Sequence, residues 1–231
     1  RPEWVHGGAG GGLLKMDEPA VVQWITDHVD KMISTEGIDL YRSDFNIDPL
    51  PYWRAADAED RQGITEIRYV QGYLAYWDAL QRRHPGMLID SCASGGRRDD
   101  LETMRRAVPL LRTDFEGHPE GNQCHTYGFG LWLPYFNAVH NWSDSSYRFR
   151  SSIAPFVQRN WDVRTAEFNF DLAKGFLRQW HDVADCYFGD FYPLSAYSTA
   201  DDVWMVWQFD RPDLSAGLVQ AFRRRECPYV S

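Results

Sequence analysis

Along this chain, apolar residues recur at helical spacing in a few stretches and gather into short runs between them. Asp17 and Pro19 make a helix start. Val22, Ile25, Val29 and Met32 continue the stripe, and Gly37 stops it. Ile38-Asp39-Leu40-Tyr41 then predicts a short strand ending in Arg42-Ser43-Asp44-Phe45-Asn46. Past a turn with Pro49 and Pro51, a second helix carries Ile64, Ile67, Val70, Leu74, Trp77 and Leu80 as its core stripe, and His84-Pro85-Gly86 ends it. The pattern repeats: Met87-Leu88-Ile89 is a strand running into Asp90-Ser91-Cys92-Ala93-Ser94-Gly95-Gly96. Asp99, with Glu102 three residues on, predicts the N-cap of a helix through Arg106. Pro109-Leu110-Leu111-Arg112 is another short strand, ending at Thr113-Asp114. Phe129 to Tyr135 predicts a strand, and residues 171–184 a helix carrying Leu172, Phe176, Trp180 and Val183.

Short strand, polar tip, helix and strand again is the signature of parallel βα units, so the expected class is α/β. From about Ser198 the pattern changes. Residues 203–209 and 217–222 read as two strands joined by the turn Arg211-Pro212-Asp213, an antiparallel hairpin. The glycine run at residues 7–12 reads as a linker or active-site loop, because no phosphate-binding pattern follows it.

The chain has 231 residues, a tight fit for a complete α/β barrel. It opens at Arg1-Pro2-Glu3-Trp4 without Met and reads as part of something longer. Hydrophobic residues at 44% and charged residues at 25% exclude disorder. Twenty-four basic against 33 acidic side chains give a charge of −9, which argues against a nucleic-acid partner. No apolar run reaches the length of a membrane span. Cys92, Cys124, Cys186 and Cys227 are dispersed, without zinc spacing. They are expected as free thiols, with no metal site, and favour a cytoplasmic over a secreted setting. Ten Trp leave two readings open, a core of large rings or rings lining a cleft.

Two carboxylates share a context, since Asp44 and Asp114 each follow a predicted strand. In a βα barrel, groups at C-terminal strand ends converge on one substrate; the alternative is that each only caps the next helix. Between them, Cys92-Ala93-Ser94-Gly95-Gly96-Arg97-Arg98-Asp99-Asp100 places glycines where a ligand approaches the backbone, or forms a plain turn, or a phosphate site. His118 and His125 read as surface residues of the loop after Asp114, with a sugar contact as the alternative. Tyr52, Trp53 and Trp161 fit either cleft or core, Arg223-Arg224-Arg225 a solvated hairpin edge, and Asp201-Asp202 a turn.

These motifs resemble, in order, those of glycoside hydrolase family 36, the α-galactosidase (melibiase) group. Arg42-Ser43-Asp44-Phe45-Asn46 is similar to the family's Lys-Trp-Asp-Met-Asn, whose Asp is the nucleophile. The resemblance assigns that role to Asp44, matches Asn46 to the asparagine, and puts Arg42 in place of the sugar-contacting lysine. The stretch from Cys92 to Asp100 resembles Cys-Ser-Gly-Gly-Gly-Gly-Arg-Phe-Asp, which puts Cys92 and Gly95 at sugar-contacting positions and Arg98 on the family arginine. Leu111-Arg112-Thr113-Asp114 resembles Trp-Thr-Ser-Asp and makes Asp114 the acid/base, although Phe115-Glu116-Gly117 departs from the family's Asn-Thr-Asp. Pro2-Glu3-Trp4 resembles the family's Pro-Asp/Glu-Trp, with Trp4 as a sugar platform.

The resemblance implies the later strands of a (β/α)8 TIM-type barrel over residues 1–197. The start of a C-terminal antiparallel β-domain, a sandwich in the family, follows over 198–231. It implies a retaining hydrolase for terminal α-linked galactose, needing no cofactor, with a galactoside as its partner and room for a homo-oligomer. Retention requires the two carboxyls about 5–5.5 Å apart and a raised pKa on the acid/base. The alternatives are a galactosyltransferase or α-N-acetylgalactosaminidase of the same family, or an inactive sugar-binding fragment.

Overall fold

The computed structural model describes residues 1–10, 12–115 and 118–230. It divides into two compact units, Arg1–Val108 and Pro109–Ser231. Glu116 and Gly117, and Gly11 of the glycine run, lie outside the described residues.

The first unit opens with a short antiparallel pair, β1 (Val5–His6) and β2 (Leu13–Leu14). Helix α1 (Pro19–Glu36) starts on Pro19, whose missing N–H is harmless in a first turn, and closes on Gly37 at φ +66°. Strand β3 (Leu40–Asp44) leads through α2 (Leu50–Ala56) and α3 (Ile64–Arg83) to β4 (Leu88–Cys92) and the short α4 (Leu101–Met104). β3 and β4 are parallel, Leu40 opposite Leu88 and Asp44 opposite Cys92. Arg42-Ser43-Asp44, expected after the strand, therefore lies within it.

Val29 and Ile33 of α1, Ile89 of β4, Trp53 of α2, and Tyr69, Tyr76, Trp77 and Leu80 of α3 form the core of this unit. The buried face of α3 is rotated from the expected stripe: Ile67 is 56% and Val70 44% exposed. Hydropathy alone hides the reason. The tyrosines turn inward because their hydroxyls find partners, Tyr76 donating to Tyr41 at 2.8 Å and Tyr73 paired with Ser43 at 3.0 Å. Gly72 has a packing reason, because a Cβ there would run into the backbone carbonyl of Met16. The cap of α4 is Asp100 rather than Asp99: its carboxylate accepts the Thr103 N–H at 3.0 Å and the Thr103 hydroxyl at 2.9 Å.

The second unit runs α5 (Pro119–Gly130), β5 (Asn137–Asn141), α6 (Ser146–Ser151), β6 (Phe156–Asn160) and α7 (Phe170–Val183). A three-stranded antiparallel sheet follows, made of β7 (Asp190–Pro193), β8 (Trp204–Arg211) and β9 (Ala216–Arg223) in that order. β5 and β6 are parallel, Asn137 opposite Phe156. Phe149, Phe176, Tyr187, Met205, Trp207, Phe209 and Phe222 form its core. The hairpin is present as β8 and β9, with β7 added at its edge. Among the described residues the parallel strands pair two by two and close no barrel.

Three expectations change in this unit. Residues 129–135, read as a strand, are the end of α5 and a turn, with Leu131 and Trp132 exposed; the strand is β5. Residues 110–112 form no strand. Pro109 lacks a donor, and the Arg112 N–H is taken by the Asn137 side chain at 2.8 Å instead of a ladder carbonyl. Arg224 is not a solvated edge but fully buried, donating to Gln123, to Cys124, and to the Ser198 and Ala200 carbonyls. The four cysteines are free thiols. Among the described residues no helix is long and apolar enough to cross a membrane, and no group of three or more His, Cys, Asp or Glu is placed to hold a metal ion.

Candidate active site

Alternation along β3 decides what faces what. Tyr41 and Ser43 point toward the helices, while Arg42 and Asp44 share the other face. The parallel register sets Asp90 beside Arg42 and Cys92 beside Asp44. Arg42 and Asp44 are 38% and 42% exposed at their side chains, whereas Asp90 is 5% exposed. Arg42 Nη1 donates to Asp90 Oδ2, and Arg42 Nη2 stands 3.6 Å from Asp44 Oδ2. Burial works against the charge on Arg42, but the Asp90 hydrogen bond and charge outweigh it and raise its pKa. Burial, partly offset by the Gly95 N–H, raises that of the Cys92 thiol. Asp44, Asn46 and Phe45 border a cavity of about 280 Å³ whose other walls include Ile25, Tyr41, Tyr69, Tyr73 and Tyr76.

The glycine stretch after β4 wraps the end of this pair. Phe45 N–H donates to the Cys92 carbonyl at 2.9 Å, carrying the ladder one residue beyond Asp44. Ser94 at φ +49° and Gly95 at φ +71° turn the chain sharply, and Ala93 N–H closes the turn on the Gly95 carbonyl at 3.0 Å. The left-handed conformation is unfavourable for Ser94. It is held by Asn46, whose Oδ1 accepts the Ser94 N–H at 2.8 Å. Arg98 stacks over the Phe45 ring at 3.8 Å and donates to the Phe45 carbonyl at 3.2 Å. Behind the loop, Asp99 has a buried Oδ2 with no hydrogen-bond partner among the described residues. Burial, with Asp100 and Asp90 nearby, pushes its pKa up to about 7. Six of the eight predicted site residues, Arg42, Asp44, Asn46, Cys92, Gly95 and Arg98, are thus gathered around the ends of β3 and β4.

The other two lie apart in sequence and setting. Trp4 closes a turn at Pro2–Trp4, half-buried, with the Arg1 guanidinium 4.3 Å from its ring centre and Trp24 at 5.2 Å. Asp114 belongs to the second unit, exposed in a bend rather than at a strand end. Its segment is anchored two residues earlier by Arg112, which is 1% exposed. Arg112 donates to Thr126 at 3.0 Å and to the Asn122 carbonyl at 3.1 Å, and among the described residues its Nε has no partner. Burial lowers the Arg112 pKa to about 9. His118 is the N-cap residue of α5 and His125 lies within α5 rather than in a loop; burial, with Arg112 nearby, lowers the His125 pKa to about 4. Trp53 and Trp161 pack in the two cores. Sequence reading missed Asp90. The available signal was an acid one turn of the pleat before Cys92, in register with a basic residue on the preceding strand.

Residues 8–115 match the family model for melibiase. Among curated proteins, α-galactosidase 1 of Pediococcus pentosaceus is 22% identical over 223 residues, covering 91% of this chain and 30% of its own. α-Galactosidase Mel36A of Lactobacillus acidophilus is 24% identical over 160 residues, covering 69% of this chain and 22% of its own. Among solved structures, the α-galactosidase of Lactobacillus brevis aligns with TM-score 0.77 at 20% identity, over 91% of this chain and 30% of that one. A variant of α-galactosidase AgaA from Geobacillus stearothermophilus, solved in complex with raffinose, aligns with TM-score 0.74 at 21% identity, over 91% of this chain and 31% of that one. The chain therefore spans about a third of these relatives' length or less, and at such identities the solved structures establish a shared fold. With the melibiase match covering the β3–β4 cluster and α-galactosidases aligned along most of its length, the chain is similar to the melibiase family and shares the fold of α-galactosidases of glycoside hydrolase family 36.

Proposed function

We propose that the intact protein hydrolyses terminal α-linked galactose with retention of configuration, Asp44 attacking carbon and Asp114 moving protons. One observation carries this reading. An open carboxylate stands at the C-terminal end of a parallel strand, beside a cation and a glycine turn, at the edge of a cavity. The likeness to a protein solved with raffinose supports a galactoside of that kind as substrate.

In this account Asp44 attacks the anomeric carbon while Asp114 protonates the departing glycosidic oxygen, and the C–O bond to the aglycone breaks as the C–O bond to Asp44 forms. Water, deprotonated by Asp114, then displaces Asp44 from the same carbon. The first step needs Asp44 ionised, and the Arg42 guanidinium stands 3.6 Å from its Oδ2. The turn built on Ser94 and Gly95 brings backbone close to where a sugar would sit, and Arg42 presents planar donors suited to hydroxyls. Proton NMR during hydrolysis of an aryl α-galactoside tests the reading. The α-anomer of galactose is expected first, and β-galactose appearing first excludes a double displacement.

A further inference from the structure

Asp90 is buried to 3% exposure, and it sits in register with Arg42 on the face that carries Asp44. A carboxylate so removed from water needs a cation, and Arg42 supplies it through a direct charge-assisted hydrogen bond. The same guanidinium reaches Asp44 only to 3.6 Å, close enough for attraction and beyond hydrogen-bond distance. The cation is shared unequally, and the better share goes to the buried partner.

We propose that Asp90 is a positioning residue for the displacement step, drawing Arg42 to its own side so that the cation stands beside Asp44 without closing on it. The inference rests on reading Asp44 as the attacking carboxylate. A guanidinium released from Asp90 would form a two-pronged pair with Asp44. That pair would occupy the lone pairs that must bond to carbon and would hold their charge more tightly. Among the described residues of the first unit, the groups facing Asp44 are few. Arg42 lies on its own strand, and Asp90 and Cys92 come from β4, the thiol kept protonated by burial. The residues of α1 and α3 that line the adjoining cavity, Ile25, Tyr69, Tyr73 and Tyr76, bring no charge. Arg98 is stacked on Phe45, and the Asp90 charge is one of the influences that raise the Asp99 pKa.

The test is Asp90→Asn in the intact protein. Turnover of an aryl α-galactoside is expected to fall roughly tenfold or more, with KM moving less. The acidic limb of kcat/KM should shift to lower pH, because Asp44 loses a like charge and gains a nearer cation, both favouring its ionised form. A crystal structure of the variant should show Arg42 within hydrogen-bond distance of Asp44. Arg42→Lys predicts the opposite displacement: the shorter point charge stays with Asp90, Asp44 loses its neighbouring cation, and the limb moves to higher pH. This second variant carries the test if Asp90→Asn fails to fold. An unmoved limb in either folded variant, or an Arg42 that keeps its place without Asp90, overturns the proposal. A wild-type protein inert toward α-galactosides would instead refute the reading of Asp44, and the crystal structure would still judge the hold of Asp90 on Arg42.

Discussion

Asp44→Ala is expected to reduce turnover of an aryl α-galactoside by about 10⁴-fold or more, with azide restoring part of the rate as β-galactosyl azide. The expectation follows from what the variant keeps and what it loses. Alanine leaves the strand intact, because Asp44 contributes only backbone to the β3–β4 ladder and its side chain is open to solvent. Arg42 retains Asp90 as its partner, so the variant loses a nucleophile without stranding a buried charge. Azide, small and anionic, fits the space the carboxylate vacated, beside Arg42. It attacks from that side, and inverts the sugar once instead of twice. Undiminished turnover would remove Asp44 from the reaction. Lost activity with no azide product would indicate that Asp44 binds sugar instead of attacking it.

Asp114→Ala should separate substrates by leaving group. Toward an α-galactoside whose aglycone is another sugar, the loss of a proton donor is expected to cost roughly 10²–10⁴-fold. Toward an aryl galactoside with an acidic phenol, which departs without protonation, the first step should be much less affected. Water then attacks the accumulated glycosyl-enzyme slowly for want of a base. Azide needs no base, so it should accelerate turnover and yield α-galactosyl azide, the anomer opposite to that from Asp44→Ala. The pair of products distinguishes the two carboxylates even where their rate losses are alike. A uniform loss across both leaving groups, or β-galactosyl azide from the Asp114 variant, would contradict the assignment. The exposed bend that carries Asp114 makes its replacement mild for folding, since Arg112, not Asp114, ties this segment to α5.

Much of this site was legible in the sequence, for identifiable reasons. A strand just ahead of Asp44 was legible from Ile38 to Tyr41, although the ladder with β4 carries it on through Asp44, and Gly37 and Pro19 mark the bounds of α1 by their own backbone chemistry. The glycine stretch after Cys92 showed where backbone would turn tightly, and φ is positive at Ser94 and Gly95 as such a turn requires. What stayed hidden depended on partners distant in sequence. Tyrosines 69, 73 and 76 count as polar by hydropathy, yet two of them turn inward on hydroxyl partners from β3, which rotates the whole buried face of α3. The segment before Asp114 has strand-like residues, but a side-chain amide from Asn137 takes the donor that a ladder would use. Arg224 reads as one of three surface arginines until the carbonyls of Ser198 and Ala200 enclose it. Asp90 was invisible as chemistry because its meaning comes from register: one strand over, it faces Arg42.

Trapping the covalent intermediate identifies the attacking group directly. An activated fluorosugar of the α-galactosyl series, incubated with the intact protein and followed by proteolysis and mass spectrometry, should leave its label as an ester on the peptide spanning β3, at Asp44. A label carried by any other carboxylate would show that a different group attacks the sugar.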